Sequence, residues 1–182
     1  MILHKTIGWV TKMNKSSIGC FIYKWGRIAL IVAIIATVIF VFYNSCLSKE
    51  ESSEQSNAAS QVIEALLPDG TAFKEFVLEN IRKIAHFTEF GMLGVEIAIY
   101  ILLYERKRWR FFTPLSTLVP FFVGFLDESI QVLSDRGPMI TDVWIDIGGF
   151  FAFSILVYLV GCLSLFVFKL IKGDREKTQQ KN

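Results

Sequence analysis

The sequence predicts an all-α integral membrane protein, a bundle of four membrane-spanning helices with both termini in the cytoplasm. Three observations lead to this fold class. The 182-residue chain is 53% hydrophobic with a mean hydropathy of +0.47, and only 20% of its residues are charged, against about 25% in a soluble domain. It contains long stretches without charge, and its basic residues are concentrated in alternate connecting segments.

The first and fourth spans are predicted from two uncharged stretches, residues 28–48 and 147–168. Each has the roughly 20 residues that a helix needs to cross the hydrocarbon core. Neither shows the polar stripe at a period of 3.6 residues that a soluble helix carries. The first stretch could instead be a signal peptide. Because a long basic segment, residues 1–27, precedes it and no clean small-x-small site follows, we expect an uncleaved anchor.

The second and third spans are predicted from runs that contain or adjoin ionisable residues. Residues 84–104 include His86, Glu89 and Glu96, and residues 111–126 are uncharged. Because the run 111–126 is short for a span, we expect the third span either to include the helical turn after residue 126 or to thin the bilayer locally. Either run could instead be a re-entrant or surface helix, but the distribution of basic residues favours two spans.

Most lysines and arginines fall in three segments, the N-terminal residues 1–27, the loop 105–110 and the tail 169–182. Short basic segments stay in the cytoplasm, so this alternation predicts four spans with both termini inside. We expect a basic N-terminal segment at 1–27, a membrane domain at 28–168 and a basic tail at 169–182. The four spans within this domain are expected at about 28–47, 84–104, 111–130 and 143–168.

The first outer loop precedes the second span. Its polar, acidic residues 49–60 predict a flexible segment. Pro68-Asp69-Gly70 predicts a turn. Apolar residues at helical spacing in 71–84 predict an amphipathic helix on the outer membrane surface, or alternatively an early start of the second span.

Polar residues from three predicted helices and one loop fall at the outer membrane level. Ionisable groups within a bilayer are costly, and they tend to face a cavity or each other. Alternatively, Asp142 caps the fourth span, and Asp127 and Glu128 mark a helix end in water. The candidate ligand-binding residues are His86, Glu89, Asp127, Glu128, Gln131, Arg136, Asp142 and Asp146.

The segments RKIAHFTEFGMLG, DESIQ and TDVWIDIGG, with Arg136 between the last two, resemble the VanZ-like family over residues 60–165. These are small bacterial membrane proteins named after a teicoplanin-resistance protein. Three departures from the family pattern are residues 132–135 in place of a Pro-Gly turn, Ile130 in place of His, and Phe153 in place of a second Gly. The matching residues are Arg82, Lys83, His86, Phe87, Glu89, Asp127, Glu128, Gln131, Arg136, Asp142, Asp146 and Gly149.

The resemblance implies a multi-pass protein of the bacterial plasma membrane that lowers susceptibility to lipoglycopeptides. We expect the outer polar cluster to bind a lipid headgroup, a cell-wall precursor or the drug, with Arg136 contacting a phosphate or carboxylate. The sequence favours a protein that is not an enzyme, since it has no motif for a nucleophile or a phosphate loop.

Two other functions stay open. His86 and the acids could act on a lipid-linked substrate, or Glu89 and Glu96 could begin a proton relay. No cofactor is assigned. Mg²⁺ or Ca²⁺ would suit the carboxylates, while Cys20, Cys46 and Cys162 have no metal-binding spacing. The basic residues adjoin the membrane, which predicts contact with anionic lipid and not with nucleic acid.

Overall fold

The structure, a computed structural model, describes residues 17–104, 113–134 and 140–179. Every regular element in these residues is an α-helix. The helices are α1 Ser17–Cys46, α2 Lys49–Leu66, α3 Ala72–Glu79, α4 Ile81–Tyr104, α5 Pro114–Leu133 and α6 Ile140–Gln179.

Four of these helices are long and apolar enough to cross a membrane, so the predicted all-α, four-span fold is confirmed. The candidate spans are Phe21–Cys46 in α1, Ile81–Tyr104 in α4, Ser116–Leu133 in α5 and Ile140–Phe168 in α6. The cytoplasmic location of both termini stays a prediction, as does the division into a basic segment, a membrane domain and a basic tail. Most of the basic N-terminal segment and the loop 105–110 lie outside the described residues.

Helix α5 is longer than its uncharged run. It begins with a capping box between Thr113 and Ser116, with Pro114 in the first turn, where the missing N–H does no harm. It then continues to Leu133, as expected for a span that includes the turn after residue 126. Its 20 residues give a length of about 30 Å, which matches the hydrocarbon core.

The prediction of a flexible segment at residues 49–60 was wrong, because this stretch lies in the 18-residue helix α2. The physical reason is a capping box: the Ser48 hydroxyl accepts from the backbone N–H of Glu51, and the Glu51 carboxylate accepts from the backbone N–H of Ser48. Acidic residues in the first turn also suit the helix dipole. A composition rich in Ser and Glu therefore does not exclude a well-capped helix.

Helix α3 is separate from α4, since it ends at Asn80 before α4 begins. The predicted turn before it is confirmed by Gly70, whose φ of +70° favours glycine. Buried Lys74 connects α3 to the end of α2 and to this turn. Its Nζ donates to the carbonyls of Glu64 and Leu67 and to the Asp69 carboxylate, at 3.0, 3.3 and 2.6 Å. This contact lowers the pKa of the Asp69 carboxyl.

Helix α4 lies at the centre and packs mainly against α6, through an apolar core. The largest fully buried apolar side chains of this core are Val41, Phe90, Leu93, Ile97, Ile101 and Phe150. They come from α1, α4 and α6, and Val123 of α5 belongs to the same cluster, so one core joins all four spans.

Glycines allow α4 and α6 to approach closely. A Cβ on Gly94 would lie 2.3 Å from the carbonyl oxygen of Phe150, and one on Gly149 would lie 2.2 Å from that of Phe87. A Cβ on Gly148 would meet nothing within 4 Å. Of this Gly-Gly pair, only Gly149 therefore lies where α4 and α6 approach closely.

Candidate functional site

Four helix ends bring polar side chains together at one end of the bundle, which we call the acidic end. Ser45 comes from the last turn of α1 and His86 from the second turn of α4. Asp127 and Gln131 come from the last two turns of α5, and Asp146 from the second turn of α6. Asp127 and Asp146 are 0% exposed and Gln131 is 1% exposed. The four predicted candidates in this set therefore do meet.

A chain of hydrogen bonds runs through Asp127. The Ser45 hydroxyl donates to Asp127 Oδ1, and Gln131 Nε2 donates to Asp127 Oδ2 at 2.7 Å. Gln131 Oε1 in turn accepts from Arg82 Nη2 at 2.8 Å. Asp127 and Gln131 lie one helical turn apart, so both can face α4. The chain thus connects α1, α5 and α4 and fixes the orientation of the Asp127 carboxylate.

His86 lies between two buried carboxylates. Its Nδ1 is 3.4 Å from Asp146 Oδ1 and 3.8 Å from Asp127 Oδ2. Within the described chain, Nδ1 and both Asp146 oxygens are buried and form no hydrogen bond. One donor atom from each residue lies within 4.8 Å of the other two. This arrangement can share a proton or hold a cation.

Two hydrogen bonds align α1 with α4 along the bundle. Asn44 Nδ2 donates to Glu89 Oε1 at 2.8 Å, and Thr37 Oγ1 donates to Glu96 Oε1 at 2.9 Å. The two pairs are seven residues apart on each helix and run in opposite directions, as antiparallel neighbours require. Glu96 therefore lies about 10 Å from Glu89 along α4, away from the acidic end.

The other predicted site residues lie at different positions. Asp142 is 6% exposed, lies in the first turn of α6 and accepts from the Thr141 hydroxyl at 3.4 Å. Glu128 is 7% exposed. The alternative that Asp127 and Glu128 mark a helix end in water was wrong, because α5 continues past them to Leu133 and both side chains are buried. Arg136 lies outside the described residues, so its role stays a prediction.

A cavity of about 340 Å³ opens beside the acidic end, between α1, α2 and α4. Phe40 and Ile81 contribute apolar wall. The polar lining residues include Tyr43, Asn44, Gln55, Arg82, His86 and Glu89. A ligand in this cavity would therefore meet an apolar surface together with a guanidinium, an imidazole and a carboxylate.

The sequence reasoning did not place Asn44, Ser45 or Arg82 in the site. The first two interrupt the apolar run of α1 at the level of the other polar groups, which was an available signal. Arg82 lies one turn before His86, on the same face of α4. Arg82 could therefore have been predicted as a site residue from this spacing, and it is also one of the residues that match the family pattern.

Comparison with known proteins supports the resemblance seen in the sequence. The profile of the VanZ/LLP1 family matches residues 30–170, which is most of the chain and covers all four candidate spans except the first residues of α1. Curated proteins and solved structures give no match. The matched region contains every described residue of the acidic end, and the chain belongs to the VanZ/LLP1 family.

Proposed function

We propose that this membrane protein lies in the bacterial plasma membrane with its acidic end outside, where it binds the anionic head of an envelope amphiphile. Phosphate or carboxylate in such a head is chemistry shared by lipid headgroups, cell-wall precursors and lipoglycopeptides. Binding at this end lowers the access of teicoplanin-type drugs to their target. The family and the distribution of basic residues support this location and orientation.

The observation that carries the proposal is the incomplete hydrogen bonding of the Arg82 guanidinium beside the cavity. Its Nη2 donates to Gln131, while its Nε is buried with no acceptor in the described chain. No described carboxylate lies within ion-pair distance of it. A guanidinium presents five donors in a planar fork that fits carboxylate or phosphate. The unused donors of Arg82 therefore favour an anionic ligand in the cavity.

The rim of the cavity suits the apolar part of an amphiphile. Phe40 and Tyr43 line the cavity from α1 and are 47% and 62% exposed, on a helix that crosses the membrane. A volume of about 340 Å³ is at the lower end of the roughly 300–1,000 Å³ range of ligand pockets. This size suits a headgroup better than a whole lipid, with the acyl chains lying along α1.

The test is lipoglycopeptide susceptibility in a sensitive Gram-positive host. We compare an empty vector, the intact protein, Arg82→Gln and Lys83→Gln, each at matched abundance in the membrane. Lys83 is the control because it is the adjacent cation on α4 but is exposed and absent from the cavity lining. We expect the intact protein and Lys83→Gln to protect, and Arg82→Gln to return the host to the level of the empty vector. Equal protection by both variants would refute the role of Arg82.

An enzyme is the second candidate, because His86 lines the same cavity and lies 3.4 Å from Asp146. An imidazole next to a carboxylate can act as a general acid or base on a bound headgroup. Turnover of a labelled lipid by the purified protein, lost in His86→Ala and kept in Lys83→Gln, would support this candidate. Binding without turnover would support the first.

A further inference from the structure

We infer that His86, Asp127 and Asp146 bind a divalent transition-metal ion, and that Zn²⁺ fits this donor set best. The three residues come from α4, α5 and α6, so such an ion would join three of the four spans at the acidic end. This inference does not depend on the proposed binding of an amphiphile, because it rests on the donor atoms of His86, Asp127 and Asp146 and not on Arg82.

The spacing of the donor atoms matches a coordination sphere better than a hydrogen bond. A charge-assisted N–H···O bond has a donor–acceptor distance of about 2.7–2.9 Å. His86 Nδ1 is farther than that from both carboxylates, at 3.4 and 3.8 Å. Ligands about 2.0–2.2 Å from a tetrahedral Zn²⁺ lie about 3.4 Å from one another. An ion at the centre of the three donor atoms therefore needs only small side-chain rotations.

The burial of Asp146 is an independent sign of a missing partner. This side chain is 0% exposed, and neither of its oxygens accepts a hydrogen bond from the described chain. A buried carboxylate without hydrogen bonds is costly, and the ion-pair contact of Asp146 with His86 Nδ1 is 3.4 Å long. A divalent cation at this position would compensate the charge of Asp146 and use the Nδ1 lone pair of His86, with Asp127 as the third ligand.

The surroundings of Asp127 resemble the outer shell of a metal site. Carboxylates that bind metals are usually held by further hydrogen bonds, which fix their orientation. Ser45 and Gln131 hold the two Asp127 oxygens in this way. One imidazole with two carboxylates is a mixed nitrogen and oxygen set, which suits Zn²⁺ and, less well, Mn²⁺, whereas Mg²⁺ and Ca²⁺ prefer oxygen alone.

The test is metal binding by the purified full-length protein in detergent, carrying an affinity tag without histidine and with no lipid ligand or drug added. After treatment with chelator, Zn²⁺, Mn²⁺ and Mg²⁺ are titrated separately, and bound metal is measured by mass spectrometry. The variants are Asp146→Asn and His86→Gln, and the control is Glu96→Gln, a carboxylate on α4 bonded to Thr37 outside this cluster.

We expect about one Zn²⁺ to bind per chain, because the three residues form a single tetrahedral site. Asp146→Asn and His86→Gln should weaken Zn²⁺ binding by more than about 100-fold, which exceeds the loss typical of replacing a residue that only hydrogen-bonds a metal ligand. Glu96→Gln should leave Zn²⁺ binding unchanged.

If a variant fails to fold, the visible absorption spectrum of Co²⁺ bound to the intact protein tests the inference instead, since a tetrahedral Co²⁺ site gives intense visible bands. No stoichiometric Zn²⁺ and no such bands would overturn the inference and leave a proton shared between His86 and Asp146. Zn²⁺ binding with unchanged protection by Arg82→Gln would contradict only the proposed function.

Discussion

The two ends of the bundle both contain polar groups but use them differently. At the opposite end from the acidic one, Tyr23 packs edge-on against Tyr104 with centroids 4.9 Å apart, and Arg27 donates to the Tyr100 hydroxyl at 2.9 Å. We call these four residues the aromatic end. None of their polar atoms is buried without a hydrogen bond in the described chain, whereas Arg82, His86 and Asp146 all contribute such atoms.

Within the described residues, buried polar atoms without a hydrogen bond therefore occur at the acidic end and not among the four residues of the aromatic end. Arg27 also stacks on the Tyr100 ring, 5.7 Å from its centroid, so its charge is compensated by contacts of this protein. Arg82, His86 and Asp146 keep buried donors and acceptors without a hydrogen bond in the described chain, and functional sites commonly show this pattern. We therefore expect substitutions at the acidic end to change function as well as stability, and those at the aromatic end to change stability alone.

The largest effect on stability should come from separating α4 and α6 at the acidic end. Gly149→Ala places a methyl group against the carbonyl of Phe87, next to His86, and should lower the free energy of unfolding by about 1–3 kcal/mol. Gly148→Ala is the matched control, because its Cβ meets open space and should raise stability by up to about 1 kcal/mol. Unfolding in detergent measures both, and equal values would contradict the close approach.

Gln131→Leu should have the next largest effect, because it removes the link between Arg82 and Asp127. Leaving these buried groups without their partner should cost about 1–3 kcal/mol of unfolding free energy, and protection against teicoplanin should fall as Arg82 loses its orientation. Ser129→Ala is the control, since that hydroxyl bonds only the Phe125 carbonyl of its own helix. Unchanged protection by a stable Gln131→Leu variant would contradict the link.

Tyr100→Phe should have the smallest effect, about 1 kcal/mol of unfolding free energy, because it removes only the hydrogen bonds from Arg27. The phenyl ring keeps the stacking contact. Protection per copy of the protein should stay at the level of the intact chain. Loss of protection at normal abundance would show that the aromatic end also takes part in function.

The number of spans and the level of the polar groups could be predicted from the sequence, since uncharged stretches and basic segments determine both. The sequence could not predict which side chains meet, because this depends on the rotation of each helix about its axis. The contact of Arg82 with Gln131 joins positions 49 residues apart on different helices. Helix α2 was missed for a different reason, because its composition obscured the capping box at Ser48.

Arg82 was not expected at the cavity, because the sequence pointed to the arginine in the second outer loop, Arg136. The structure brings Arg82 to the cavity, because α4 presents positions 82, 86 and 89 on one face. Arg136 lies outside the described residues, so its part in anion binding stays a prediction.

The most direct test of this division is teicoplanin protection per copy of membrane protein for Asp146→Asn at the acidic end and Tyr100→Phe at the aromatic end. We expect Asp146→Asn to fold, to reach normal abundance and to lose protection, whereas Tyr100→Phe should lose some thermal stability and protect like the intact protein. If protection simply follows abundance in both variants, the acidic end has no special function, which would contradict the proposed role of this end.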